Sequence, residues 1–98
     1  MTTYILNISY TVRPGERETF LTVARELKEH FATELGKNYK IYEVKGKENA
    51  FVEQFVCSSR EEFDNLEDDL TEKGEELVNR LTDLIEGEKA MYSTLIEL

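Results

Sequence analysis

The pattern of apolar and polar residues predicts four strands. Apolar residues recur with a period of two near 3–12, as expected when successive side chains point to opposite faces, and a further stretch, over 50–58, is apolar at most positions. Shorter stretches near 39–46 and 90–97 are rich in tyrosine and β-branched or large apolar residues. Both faces of 50–58 are largely apolar, which indicates a strand in the interior of a sheet.

Apolar residues at steps of three and four predict two amphipathic helices, near 15–35 and 60–86. Gly36 and Gly87 follow these patterns and are typical helix stops. Ser59 and Glu62 have the S-x-x-E spacing of a capping box at the start of the second helix. Gly74 interrupts the second pattern, so 71–74 is either a kink or a break between two shorter helices.

The predicted order β-α-β-β-α-β is typical of the α+β ferredoxin-like fold. Its sheet is antiparallel with spatial order 4-1-3-2, and both helices pack on one face. A chain of 98 residues is too short for two stable cores, which predicts a single domain over 1–98.

Charge and composition exclude several classes of partner. The net charge is −9 and the pI about 4.6, which argues against nucleic acid and against an anionic membrane surface. A transmembrane span is not expected, because apolar runs stay well short of the roughly 20 residues needed. Cys57 is the one cysteine and His30 the one histidine, so no Cys- or His-based metal site is predicted. The expected compartment is the cytoplasm.

An acidic stretch from Arg60 to Glu76 allows two interpretations. It is either a solvated helix face or, with Glu67, Asp68 and Asp69, a divalent-cation site. Neighbouring helical positions point in different directions, which favours the solvated face.

Short motifs spread along the chain resemble the antibiotic-biosynthesis monooxygenase-like family. They are R-P-G at 13–15 with Phe20 five residues later, V-E-Q-F at 52–55 and S-S-R-E-E-F at 58–63. The resemblance implies ferredoxin-like subunits that pair sheet to sheet as a dimeric α/β barrel, each with a ligand cavity between sheet and helices. Many such proteins are oxygenases or isomerase-like enzymes that need no metal or flavin, so no cofactor is expected here.

The haem-degrading branch of that family uses an Asn on strand one, a Trp on strand three and a His on helix two. The corresponding strand positions here carry Ile8 and Phe55, and the second helix has no histidine. Haem cleavage is therefore not expected.

Glu53 is the leading candidate for chemistry, since it matches the glutamate that commonly precedes the family's aromatic residue by two. It is either a structural carboxylate bonded to a tyrosine or a backbone amide, or a general base whose pKa is raised by apolar surroundings. His30 is either at the solvent edge or a cavity-lining second proton carrier. The predicted walls of the ligand site are Ile8, Tyr10, Phe51 and Phe55.

Two functions stay open at the level of the sequence. One is a cofactor-independent oxygenase acting on a small apolar or aromatic molecule, and the other is a non-catalytic ligand-binding or interaction protein. In both cases we expect a homodimer, because one sheet face would otherwise leave valines in water. That face is predicted to carry Asn7, Ser9, Val52, Gln54 and Val56.

Overall fold

The secondary structure follows the predicted β-α-β-β-α-β order, with the second helical region divided in two. A computed structural model describes residues 2–98, so Met1 of the predicted domain lies outside the described residues. The elements are β1 (Tyr4–Thr11), α1 (Arg17–Lys28) continuing into a π-helical segment (Glu29–Glu34), β2 (Tyr39–Glu43), β3 (Ala50–Cys57), α2 (Arg60–Asp64), α3 (Glu72–Thr82), a 3-10 turn (Glu86–Glu88) and β4 (Met91–Ile96).

The four strands form one antiparallel sheet in the order β2-β3-β1-β4, which confirms the predicted topology. In the centre, Ile8 lies opposite Glu53 of β3 and Tyr92 of β4. Glu53 in turn lies opposite Ile41 of β2. Residues directly opposite each other on neighbouring strands point to the same face of the sheet. These four residues therefore share the face that carries the helices.

The second helical region, predicted over 60–86 with a kink or a break at 71–74, is divided into two helices, and the break lies earlier than predicted, over 65–71. The chain leaves α2 at Asn65 and enters α3 only after Thr71, whose hydroxyl accepts a hydrogen bond from the backbone N–H of Gly74 at 3.0 Å. This capping by Thr71 starts a new helix, because a side-chain oxygen there satisfies an N–H that lacks an intrahelical partner. Ser59 caps α2 as predicted, accepting from the N–H of Glu62 at 3.1 Å.

The core lies between the sheet and the layer formed by α1, the π-helical segment and α3. Phe20 is fully buried and packs on Phe51, with ring centroids 4.3 Å apart, and on Tyr10 at 5.9 Å. Contacts of this kind bury large areas of aromatic surface and hold α1 against the sheet.

The opposite face of the sheet carries no helix. Its central residues Ile5, Val52 and Val56 are only half-buried, and outer residues Met91 and Leu95 are exposed. The structure thus leaves an apolar surface on this face, which we call the open face.

Candidate functional site

A cleft of about 540 Å³ lies on the helix-covered side of the sheet, against the centres of β1 and β3. Its floor comes from the sheet residues Leu6, Ile8, Glu53 and Phe55, and Tyr92 of β4 forms one side. The other walls are Phe31, Lys37, Phe63, Asp64, Leu66, Glu67, Asp69, Leu70 and Val78.

The cleft exists because residues 60–70, here called the roof, do not continue as one helix into α3. Glu62 fixes the start of the roof by accepting hydrogen bonds from Ser58, at 2.6 Å from its backbone N–H and 2.9 Å from its hydroxyl. The far end is held by an ion pair of 2.6 Å between Lys37 Nζ and Asp69 Oδ2. Leu66 and Leu70, which the helical pattern assigned to a continuous stripe, line the cleft instead.

Glu53 is a buried carboxyl with one satisfied and one free oxygen. Its side chain is 4% exposed, and the Tyr39 hydroxyl donates to Glu53 Oε1 at 2.5 Å. Among residues 2–98, Glu53 Oε2 has no hydrogen-bond partner. The Tyr10 hydroxyl is also without a well-aligned partner there, although it lies near enough to Glu53 to influence its pKa.

Burial raises the pKa of Glu53 above its ordinary value, and the nearby tyrosine hydroxyls only partly offset this effect. A charged carboxylate loses its hydration in such a place, whereas the neutral acid loses much less. The same burial raises the pKa of Tyr10 and of Tyr39, so both phenols stay protonated beside the carboxyl. The Glu53 carboxyl can therefore donate a proton when it is neutral or accept one when it is ionised.

His30 lies one layer away from the cleft, in the π-helical segment. It is 4% exposed, so it is not at the solvent edge. Its Nδ1 is 2.8 Å from Glu34 Oε1 and its Nε2 is 2.5 Å from Thr71 Oγ1. With the proton on Nδ1, the ring donates to Glu34 and accepts from the Thr71 hydroxyl, which satisfies both nitrogens.

The structure brings three of the predicted site residues into the cleft, namely Ile8, Glu53 and Phe55. Tyr10 and Phe51 lie in the core against Phe20, so neither forms a wall of this cleft.

Sequence reasoning missed the roof and Tyr39. The leucine spacing of the roof also fits a helix, and the contact of Tyr39 with Glu53 depends on the β2–β3 register, in which Tyr39 lies opposite Phe55. The only feature of the sequence that could have indicated this contact was the tyrosine at the start of β2.

The part of the chain that the structure describes holds neither a cluster of metal ligands nor a membrane-spanning helix. No three His, Cys, Asp or Glu side chains converge there on a position that could hold a metal ion. None of its helices combines the length and the apolar character needed to cross a bilayer.

The strand order and the helix layer on one side of the sheet define a ferredoxin-like fold. A conserved protein from Methanosarcina mazei Go1 superposes with a TM-score of 0.83 at 13% identity, covering 100% of this chain and 95% of that one. A protein from Nitrosomonas europaea, provisionally described as an antibiotic biosynthesis monooxygenase, gives 0.79 at 16% identity, with 98% and 90% covered.

A third similar structure is a variant of SnoaB, a cofactor-independent oxygenase from Streptomyces nogalater. Its TM-score is 0.72 at 16% identity, and the superposition covers 95% of this chain and 90% of that one. The predicted resemblance to antibiotic-biosynthesis monooxygenase-like proteins is thereby confirmed at the level of the fold. Comparison by sequence gave no matching family model and no matching curated protein.

Proposed function

We propose that the protein is a cofactor-independent oxygenase of a small apolar or aromatic molecule, with Glu53 as its general base. The observation that carries the proposal is a buried carboxyl that lines a mainly apolar cleft of about 540 Å³ and whose Oε2 has no well-aligned hydrogen-bond partner among residues 2–98. A buried polar atom without a partner is costly unless a ligand supplies one. The similarity to SnoaB supports an oxygenase at the level of the fold alone.

The reaction that suits this site begins with an acidic C–H group of the substrate. Ionised Glu53 takes the proton, and the carbanion left behind reduces O₂ and bonds to it, giving a hydroperoxide once the proton returns to the terminal oxygen. Loss of water from the hydroperoxide breaks the O–O bond and leaves a ketone. The balance is R₂CH₂ + O₂ → R₂C=O + H₂O, so the substrate supplies all electrons and no further reductant is required.

Within this proposal, Ile8 and Phe55 hold the substrate against the sheet, and Tyr39 positions Glu53 through its hydrogen bond to Oε1. His30 has both ring nitrogens engaged outside the cleft, so we assign it to positioning Thr71 at the start of α3 rather than to proton transfer. Because the pKa of Glu53 is raised, the base form increases as the pH rises. The rate should rise with it.

The test is oxidation of anthrone, a neutral tricyclic ketone with an acidic methylene group. Turnover above the uncatalysed rate is expected, and Glu53→Gln should lower it by about 10²-fold or more while leaving the dissociation constant for anthrone nearly unchanged. Glu76→Gln on the exposed surface of α3 is the matched control and should retain full turnover. Equal turnover by the wild type and Glu53→Gln would exclude Glu53 as the base.

The second candidate is a ligand-binding protein without chemistry, and the burial of Glu53 favours it in one respect. A carboxyl that stays neutral at working pH is a hydrogen-bond donor and not a base. In that case anthrone should bind, no turnover should appear at any pH, and Glu53→Gln should bind equally well because an amide still donates.

We further propose a cytoplasmic homodimer that closes through the open face. The supporting features are the half-buried valines Val52 and Val56 and the exposed Met91 and Leu95. Apolar surface of this kind gains free energy when a second copy covers it.

A further inference from the structure

The cleft combines an apolar interior with a charged rim. Its interior is formed mainly by aliphatic and aromatic side chains, among them Ile8, Phe55 and Val78. At the rim, three carboxylates from the roof, Asp64, Glu67 and Asp69, face a single cation. A ligand that fills the interior therefore has its outer end among these charges.

The cation at the rim is already neutralised. Lys37 Nζ is 2.6 Å from Asp69 Oδ2, and its side chain is only 18% exposed. Asp64 has Arg60 at 3.6 Å, but both side chains are mostly exposed, and such pairs contribute little. Glu67 forms no ion pair with any residue of 2–98. Two weakly compensated carboxylates thus remain at the mouth of the cleft.

The floor supplies an independent indication that a ligand belongs here. Glu53 is 4% exposed and lines the cleft, and its Oε2 lacks a well-aligned partner among the described residues. A ligand that satisfies this oxygen must reach the floor, and its far end then extends toward the roof.

We infer that the cleft selects ligands by charge, and that its preferred ligand is an aromatic molecule with a cationic amine at the end that meets Asp64 and Glu67. The inference rests on the proposed ligand site. An aromatic carboxylate would meet two like charges in a protein whose net charge is already −9. Among residues 2–98, the only cation that lines the cleft is Lys37, which is paired with Asp69.

The test uses three naphthalene probes with one substituent each, which is cationic, neutral or anionic: 1-naphthalenemethylamine, 1-naphthalenemethanol and 1-naphthoate. Dissociation constants are measured by NMR titration at low salt and at about 0.5 M salt, where exposed charges are screened within roughly 4 Å. At low salt the amine should bind about tenfold more tightly than the carboxylate, with the alcohol between them. At high salt this ratio should fall to about twofold or less.

Two double variants test whether the preference for the amine arises at the rim of the cleft. Asp64→Asn with Glu67→Gln should remove the preference for the amine and leave the affinity for the alcohol unchanged. Glu75→Gln with Glu76→Gln makes the same change in net charge on the exposed surface of α3 and should keep the preference.

The outcomes separate the two proposals. If none of the three probes binds, the ligand site itself is wrong, and the charge preference falls with it. If the alcohol binds but the amine and the carboxylate bind equally well, the site stands and selection by charge is overturned. Equal loss of preference in both double variants would assign the effect to net charge and also overturn the role of the rim.

Discussion

Glu53 shows how one residue can be buried without being fully satisfied. The Tyr39 hydroxyl donates to Oε1, whereas Oε2 is buried without a well-aligned partner among residues 2–98. A buried charge without a close counter-ion is very unfavourable, so the fold favours the protonated side chain. This places a proton at the floor of the cleft up to a higher pH than in an exposed glutamate.

The raised pKa of Glu53 predicts a pH-dependent difference in stability between the wild type and Glu53→Gln. The unfolded glutamate ionises near pH 4.3, whereas the folded one ionises at higher pH. Between these values the folded state holds one proton more, so the stability from the neutral carboxyl is lost as the pH rises. The loss should approach about 1.4 kcal/mol per pH unit.

Urea unfolding of both proteins from pH 4 to pH 8 measures this difference. Gln does not titrate, so subtracting its curve cancels the contribution of all other carboxylates. A constant difference across the range would show that Glu53 has an ordinary pKa.

At the scale of single residues, the sequence was enough to select Glu53 as a candidate. It was not enough to predict which side chains contact Glu53. A carboxylate between Phe51 and Phe55 on an apolar strand is visible in the printed chain. Its hydrogen bond to Tyr39 is not, because that contact joins two strands and requires their register. The burial of His30 beside Phe31 likewise depends on the π-helical segment, for which the apolar spacing gives no signal.

Among the elements, α3 is joined to the π-helical segment by a network of polar side chains. Thr71 caps α3 and lies 2.5 Å from His30, which contacts Glu34. Lys73 completes the network with an ion pair of 3.0 Å to Glu34. Hydrogen bonding from His30, and secondarily from Lys73, lowers the pKa of Glu34.

Thr71→Val should destabilise the fold by about 1–2 kcal/mol, since it removes the cap of α3 and leaves His30 Nε2 unpaired. Thr71→Ser is the matched control, because it keeps the hydroxyl, and its stability should stay close to that of the wild type. Both values come from urea unfolding at pH 7. If the valine variant were as stable as the serine variant, neither the cap nor the contact with His30 would contribute.

The division of the second helical region explains why its prediction was only partly correct. Leu66 and Leu70 fit the same helical repeat as Leu77 and Leu81, so periodicity alone continues the helix through them. The local hydrogen bond of Thr71 competes with that continuation and prevails in the structure.

For the whole molecule, the open face is the surface through which we propose that two copies assemble. On this face the Gln54 amide donates to Asn7 Oδ1 at 2.9 Å within the chain, so one donor and one acceptor are already paired without a second copy. This lowers the cost of covering the face, since fewer polar groups would be buried unsatisfied.

Val52→Lys should convert the proposed homodimer into a monomer, because the charge would be buried at the centre of the open face. Thr22→Lys adds the same charge on the exposed surface of α1 and should leave the dimer intact. Light scattering at micromolar concentration gives the mass of each protein. A monomeric wild type would remove the dimer proposal altogether.

The overall topology was the most predictable level. Four alternating stretches and two amphipathic helices leave few ways to cover one sheet, and the observed strand order is the predicted one. The uncovered face of the sheet could be predicted in the same way, because two helices can cover only one side of a four-stranded sheet. The cleft did not, because its roof depends on the capping contacts of Thr71 and Glu62.

The strand order also determines when each strand of the sheet can pair during synthesis on the ribosome. The central strand β1 is made first and can pair with β3 once Cys57, the partner of Tyr4, has emerged. Its other edge waits for β4, where Ile96 pairs with Tyr4. Until then β1 presents unpaired backbone groups and apolar side chains, the combination that promotes strand exchange between nascent chains. A chain released before Met91 would keep that edge permanently open.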